Sequence, residues 1–161
     1  MRRVFATALM TLAATVAGIG TATAQNPHFI GSVTCTKSLT AGLQCSGKAA
    51  GLGNEPTDAF LTAASVEAEY VCTNRGGNMA PGQGTEFQNV EGPTSTIMPR
   101  NGQITFQNVS IPPPPTPSPE QVCPNRNWTV NLLHLTYRGV ELHIQQNGED
   151  LLTKNLGTID P

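Results

Sequence analysis

The sequence predicts an all-β protein: an antiparallel β-sandwich of roughly immunoglobulin-like size, held by two disulfides. Three observations carry that prediction. Short β-branched stretches alternate apolar and polar residues and are separated by Gly, Pro and Asn turn signals. No convincing helical period runs through residues 25–161. The four cysteines, Cys35, Cys45, Cys72 and Cys123, all follow an export-type leader, and an even count in an oxidising compartment argues for paired thiols.

The leader reads as a secretory signal peptide over residues 1–24. Arg2-Arg3 is its basic start, Val4 to Ile19 a charge-free run, and Ala22-Thr23-Ala24 a small-residue cleavage site, so the mature chain is expected to start at Gln25. The run is shorter than the ~20 apolar residues a spanning helix needs, so no membrane span is expected in the mature form. Arg2-Arg3-Val4-Phe5 hints at twin-arginine export, but only Met1 precedes the pair, and ordinary secretion is the better fit. Residues 25–161 are then one domain by length. The chain carries 9 Lys and Arg against 11 Asp and Glu, and two of the nine belong to the leader. The remainder is mildly acidic, with no basic footprint for nucleic acid or an anionic membrane.

His28 to Thr36 is a first strand, Lys37 to Gly42 a turn tipped by Thr40-Ala41-Gly42, and Leu43 to Leu52 a second strand whose small residues permit close packing or a bulge. Asp58 to Cys72 is ambiguous. As a strand it puts Ala64, Val66, Ala68, Tyr70 and Cys72 on one face and Ser65, Glu67 and Glu69 on the other. As a helix it also shows an apolar stripe. Ending on a disulfide candidate between strand-like flanks favours the strand. Asn74 to Gly84 is a long loop, Thr85 to Val90 a short strand, and Thr94 to Met98 another. Asn101-Gly102, which tolerates positive φ, reads as a hairpin turn joining that last segment to Gln103–Ile111. Pro112 to Pro119, PPPPTPSP, is extended chain, read as an internal crossover loop because too few residues follow it for a second domain.

Trp128 to Gln145 reads as a β-hairpin turning at Arg138-Gly139. That register sets Tyr137 against Val140, Leu135 against Leu142 and Leu133 against Ile144 on a buried face. It sets Thr136 against Glu141 and His134 against His143 on the other. Trp128, Val130 and Leu132 share the parity of His134, so a bulge near Asn131 is needed if they are core. Leu151 to Ile159 closes the chain as a final strand. Eight or nine strands result. A jelly roll or open barrel is the alternative architecture.

The flanking turns favour the pairing Cys35–Cys45 and Cys72–Cys123; Trp128, near Cys123, is a candidate to pack on the second bridge. A zinc site is the weaker reading, because no C-x2-C pair is present.

Few residues suggest chemistry. His134 and His143, opposite one another with Glu141 nearby, are a speculative metal site, and two solvated histidines are the plainer reading. Glu67 and Glu69, two apart on an exposed strand face, read as solvated carboxylates rather than a glycosidase pair. Asn108-Val109-Ser110 and Asn127-Trp128-Thr129 match the glycosylation acceptor pattern, but the compact Ala-rich leader looks bacterial. No catalytic motif is present, so no enzyme and no cofactor is expected. Arg75, Asn78 and Gln83, in the longest loop, are the candidate binding residues.

GKAAGLGN (Gly47–Asn54), CTNRGGNMAPGQG (Cys72–Gly84), the Pro-rich run and VCPNRNW (Val122–Trp128) resemble a set of uncharacterised small secreted bacterial proteins of actinobacterial type. The resemblance spans most of residues 25–161. It implies an exported, disulfide-bonded β domain and brings no activity or site residue with it.

The expected function is a non-enzymatic extracellular β-sandwich with an unspecified extracellular or cell-envelope ligand. A secreted metal-dependent enzyme or accessory using the His134/His143 face is the alternative. Self-assembly by strand edges is a third.

Overall fold

The computed structural model describes residues 26–160; the leader and the expected cleavage site lie outside them. Nine strands and one helical turn follow in order: β1 His28–Ser38, β2 Gly42–Ala50, β3 Thr57–Thr73, β4 Met79–Pro81, β5 Thr85–Glu91, β6 Ser95–Ile97, β7 Ile104–Ile111, α1 Pro119–Val122, β8 Thr129–Gln146 and β9 Glu149–Ile159. All pairings are antiparallel. Strands β1-β2-β7 form a three-stranded sheet. The six-stranded sheet runs β4-β3-β8-β9, with β5 and β6 also paired to β3. The two sheets share one apolar core, as the sandwich reading expects. Both expected disulfides are present, Cys35–Cys45 and Cys72–Cys123.

The core is built from alternation. Leu43, Cys45 and Ala49 of β2 and Ile104, Phe106, Val109 and Ile111 of β7 turn toward Leu61, Val66, Tyr70, Leu135, Tyr137, Leu142 and Ile144 of the larger sheet. Burying side chains such as Phe106 and Tyr137 is worth roughly 1.5–3 kcal/mol each. Gly47 makes room for the Phe106 ring: a Cβ there would lie 2.7 Å from its tip. The Tyr137 hydroxyl ties the sheets together by donating to the Ile111 carbonyl at 3.4 Å.

The ambiguous segment is a strand, the 17-residue β3. The expected hairpin at Arg138-Gly139 is absent. Residues 129–146 are one 18-residue strand, paired along most of its length with β3. Arg138-Gly139 is a crease within that strand, not a turn. Leu135 and Tyr137 point inward, and so do Val140, Leu142 and Ile144, so the inward parity reverses at Arg138-Gly139. β3 reverses with it, from Ala59, Leu61 and Ala63 to Val66, Ala68 and Tyr70. Ala64 is therefore exposed and Ser65 buried, against the expected faces. The left-handed conformations of Asn89 (φ 51°), Gly139 (φ 58°) and Gly157 (φ 74°) carry the crease across β5, β8 and β9. A two-residue turn and a creased strand both put residues i and i+3 on one face, so periodicity alone cannot separate them.

The hairpin that does form joins β8 to β9 through Asn147-Gly148, both at positive φ (53° and 80°). Asn101-Gly102 also turns tightly, closed by an Arg100–Gln103 bridge. Its flanks nevertheless part, since β6 pairs with β3 and β7 with β2. The turn is a corner between sheets. The bulge expected near Asn131 is found two residues on: the β3–β8 register slips between His134 and Leu132, leaving Leu133 exposed while Val130 and Leu132 pack on the core.

Candidate recognition surface at the loop end

The antiparallel pairing of β3 with β8 ends at Thr73 opposite Thr129. Asn74 and Trp128 therefore leave the sheet side by side. The Asn131 amide holds this end by donating to Thr73 Oγ1 at 3.4 Å. The Cys72–Cys123 bridge then fixes the segment leading into Trp128 against the end of β3.

Each of the two chains closes on itself in a small Asn-centred turn. Asn74 Oδ1 accepts from the backbone N–H of Gly76 (2.9 Å) and of Asn78 (3.0 Å), and the Asn74 N–H donates to the Asn78 carbonyl at 3.0 Å. On the other chain, Asn125 Oδ1 accepts from the Asn127 N–H at 3.0 Å, and the Trp128 N–H donates to the Asn125 carbonyl at 3.3 Å. Side-chain oxygens used this way stabilise turns that lack a regular ladder. Asn74, Arg75, Gly76, Asn125, Asn127 and Trp128 line an open concavity of about 470 Å³ between the two turns.

The segment 74–84, expected as one long loop, is broken by β4 pairing back on β3, and it meets the Pro-rich segment at this end. The Gln83 N–H donates to the Val122 carbonyl at 2.9 Å. A second cleft, of about 440 Å³, runs between Gln83–Thr85 and Pro115–Ser118. α1, a single turn entered through Ser118 and Gln121, seats Val122 in the core beneath it.

The three expected binding residues thus take different roles. Arg75 lines the Trp128 concavity, and Gln83 lines the Pro-rich cleft. Asn78 closes the Asn74 turn through its backbone. Asn74, Asn125, Asn127 and Trp128 were not singled out for binding. Trp128, expected against the disulfide, is partly buried in the concavity wall. The available signal was an Asn-rich turn flanking the single Trp on one side and a second Asn turn after Cys72.

The paired-histidine site has no geometry to support it. His134 and His143 lie nine positions apart on the same strand, about 30 Å at 3.3 Å per residue. His143 faces Phe60 instead, with the rings stacked at 4.9 Å, and hydrogen-bonds Thr62 (3.1 Å) and Asp150 (3.2 Å). Glu141 stands 3.9 Å from it. His134 Nε2 meets Asp160 Oδ1 at 2.7 Å, and that bond holds the Asp160 carboxyl below its ordinary range. Thr136, expected opposite Glu141, lies opposite Glu67. Among the described residues no three His, Cys, Asp or Glu side chains are grouped to hold a metal ion.

Glu67 and Glu69 stand on the outer face, along a groove shared with Met79 and Leu133. Glu67 is already engaged by Arg138 at 3.0 Å. No helix of the described residues is long and apolar enough to cross a membrane. No family model matches the chain, and neither a curated protein nor a solved structure matches it.

Proposed function

We propose that this protein is an exported, non-enzymatic binding module that engages an extracellular or cell-envelope ligand through the loop end of its sandwich. One observation carries the reading: the Cys72–Cys123 bridge gathers segments 74–84 and 112–128, and the concavities between them, onto the end of the larger sheet. Loops held on a rigid scaffold lose little freedom on binding, which leaves more of the contact energy for affinity. The second bridge, Cys35–Cys45, joins β1 to β2 in the other sheet and lines neither concavity.

The test is co-sedimentation of the mature chain with purified cell-wall material from the producing cells. Saturable binding is expected. It should be lost in Cys72→Ser/Cys123→Ser and kept in Cys35→Ser/Cys45→Ser, with the sheet signal in circular dichroism retained in both. A wild-type chain that stays in the supernatant would overturn the reading.

A further inference from the structure

The Trp128 concavity has a chemical character beyond being a recess, and the inference from it rests on the binding-module reading. Its side chains supply mostly donors, with the Asn127 oxygen the one free side-chain acceptor among the lining residues. The Asn74 and Asn125 oxygens are turned inward and consumed by their own turns. Their amide nitrogens therefore remain as donors, since an amide presents its NH2 opposite its carbonyl oxygen. Asn127 adds a further amide, and its side chain has no hydrogen-bond partner among the described residues. Arg75 adds a guanidinium. None of the ion pairs among the described residues involves Arg75.

A surface of amide and guanidinium donors needs a ligand rich in acceptors, and the unpaired Arg75 cation in a chain of net charge −2 favours an anionic one. The concavity also has one aromatic wall. An indole presents a negative π face that attracts polarised C–H groups, the kind that line the apolar side of a pyranose ring. Guanidinium geometry matches the two oxygens of a carboxylate or phosphate. The turns are closed by backbone hydrogen bonds before any ligand arrives, so the donors are preorganised.

We infer that the concavity of Asn74, Arg75, Asn125, Asn127 and Trp128 is a binding site for an anionic saccharide, with the sugar ring on Trp128 and its carboxylate or phosphate at Arg75. The amides of Asn74, Asn125 and Asn127 take the ring hydroxyls. No bond is made or broken.

Trp128 is the single tryptophan of the chain, so indole fluorescence reads occupancy of this site directly. The oxidised mature chain is titrated with tetragalacturonic acid, with mannose 6-phosphate and, as a neutral control, with maltotetraose. A saturable fluorescence change with at least one anionic probe is expected, at least tenfold tighter than with maltotetraose. Whichever anionic probe responds tells carboxylate from phosphate as the source of charge. Arg75→Ala should weaken that binding at least tenfold without changing the circular dichroism spectrum. Trp128→Phe, followed by calorimetry, should weaken it also. Equal response to maltotetraose, no loss in Arg75→Ala, or silence with both anionic probes would each overturn the inference. Silence together with intact wall co-sedimentation would remove this site alone and leave the binding-module reading standing.

Discussion

Gly139 of β8 packs directly on Ala64 of β3: a Cβ placed on the glycine would come within 2.9 Å of the alanine methyl. The same glycine sits at φ 58°, in the left-handed region. Both facts belong to the crease that lets β3 and β8 reverse their inward faces together. Two separate penalties therefore fall on any side chain here, one from the backbone and one from the contact.

Gly139→Ala is expected to destabilise the fold by about 2–5 kcal/mol, combining the ~1–2 kcal/mol of a left-handed non-glycine residue with the ~1–3 kcal/mol of overpacking. Gly148→Ala gives the backbone part alone, since Gly148 is at φ 80° with nothing within 4 Å of its would-be Cβ. Urea denaturation of the two variants should show Gly139→Ala as the more damaging. Adding Ala64→Gly should recover part of that difference. Equal losses in the two single variants would mean that the contact with Ala64 costs nothing.

The crease also explains where the sequence misleads. Both Asn-Gly pairs adopt the positive φ that their chemistry favours, yet only Asn147-Gly148 closes a hairpin of two paired strands. The parity reversal at Arg138-Gly139 mimics a turn within the same stretch, and the His134–His143 pairing follows from that false register. The strand assignments of β1, β2, β5 and β7 were legible because each lies between turn signals, and that of β3 because it ends on a disulfide candidate between strand-like flanks. Both disulfides were legible from their flanks. The concavity at Trp128 was not, because it arises where two chain ends 54 positions apart are laid side by side, and only the β3–β8 register says that they meet.

The two disulfides should differ in worth. Cys72–Cys123 spans 51 positions and Cys35–Cys45 only 10. In the chain-entropy model these loops correspond to about 4 and about 2.5–3 kcal/mol. Replacing each pair with alanines and measuring denaturant midpoints should rank Cys72→Ala/Cys123→Ala as the less stable variant. The reverse order would show that native packing of Cys45, which is fully buried between β1 and β7, outweighs the loop term.

Asp160 predicts an acid dependence. Its carboxyl is held below the ordinary 3.8 chiefly by the hydrogen bond from His134, with help from Thr136 and Lys37. A carboxyl with a depressed folded value adds stability above its unfolded value, and that stability is lost as pH falls through the folded value. Asp160→Asn should therefore cost stability at neutral pH, and the gap from the wild type should close as pH falls below the ordinary carboxylate range. Urea titrations at several pH values measure that gap. A gap unchanged at pH 2 would mean that the charge of Asp160 contributes nothing.

Tyr137 sets the alkaline limit. Its ring is fully buried between the sheets, its hydroxyl donates to the Ile111 carbonyl, and burial raises its ionisation above the ordinary 10.0. Losing that single hydrogen bond in Tyr137→Phe should cost about 0.5–1.5 kcal/mol at neutral pH. The sign then changes with pH. A phenol whose folded value is raised contributes fully below pH 10 and loses its contribution as pH rises toward the folded value, because the unfolded chain ionises first. Each pH unit in that window removes about 1.4 kcal/mol from the wild type and nothing from the phenylalanine variant. The stability curves of the two proteins should therefore converge as pH rises above 10. Parallel curves through that range would show that Tyr137 ionises as readily in the folded protein as in the unfolded chain, and that the alkaline limit lies in other groups.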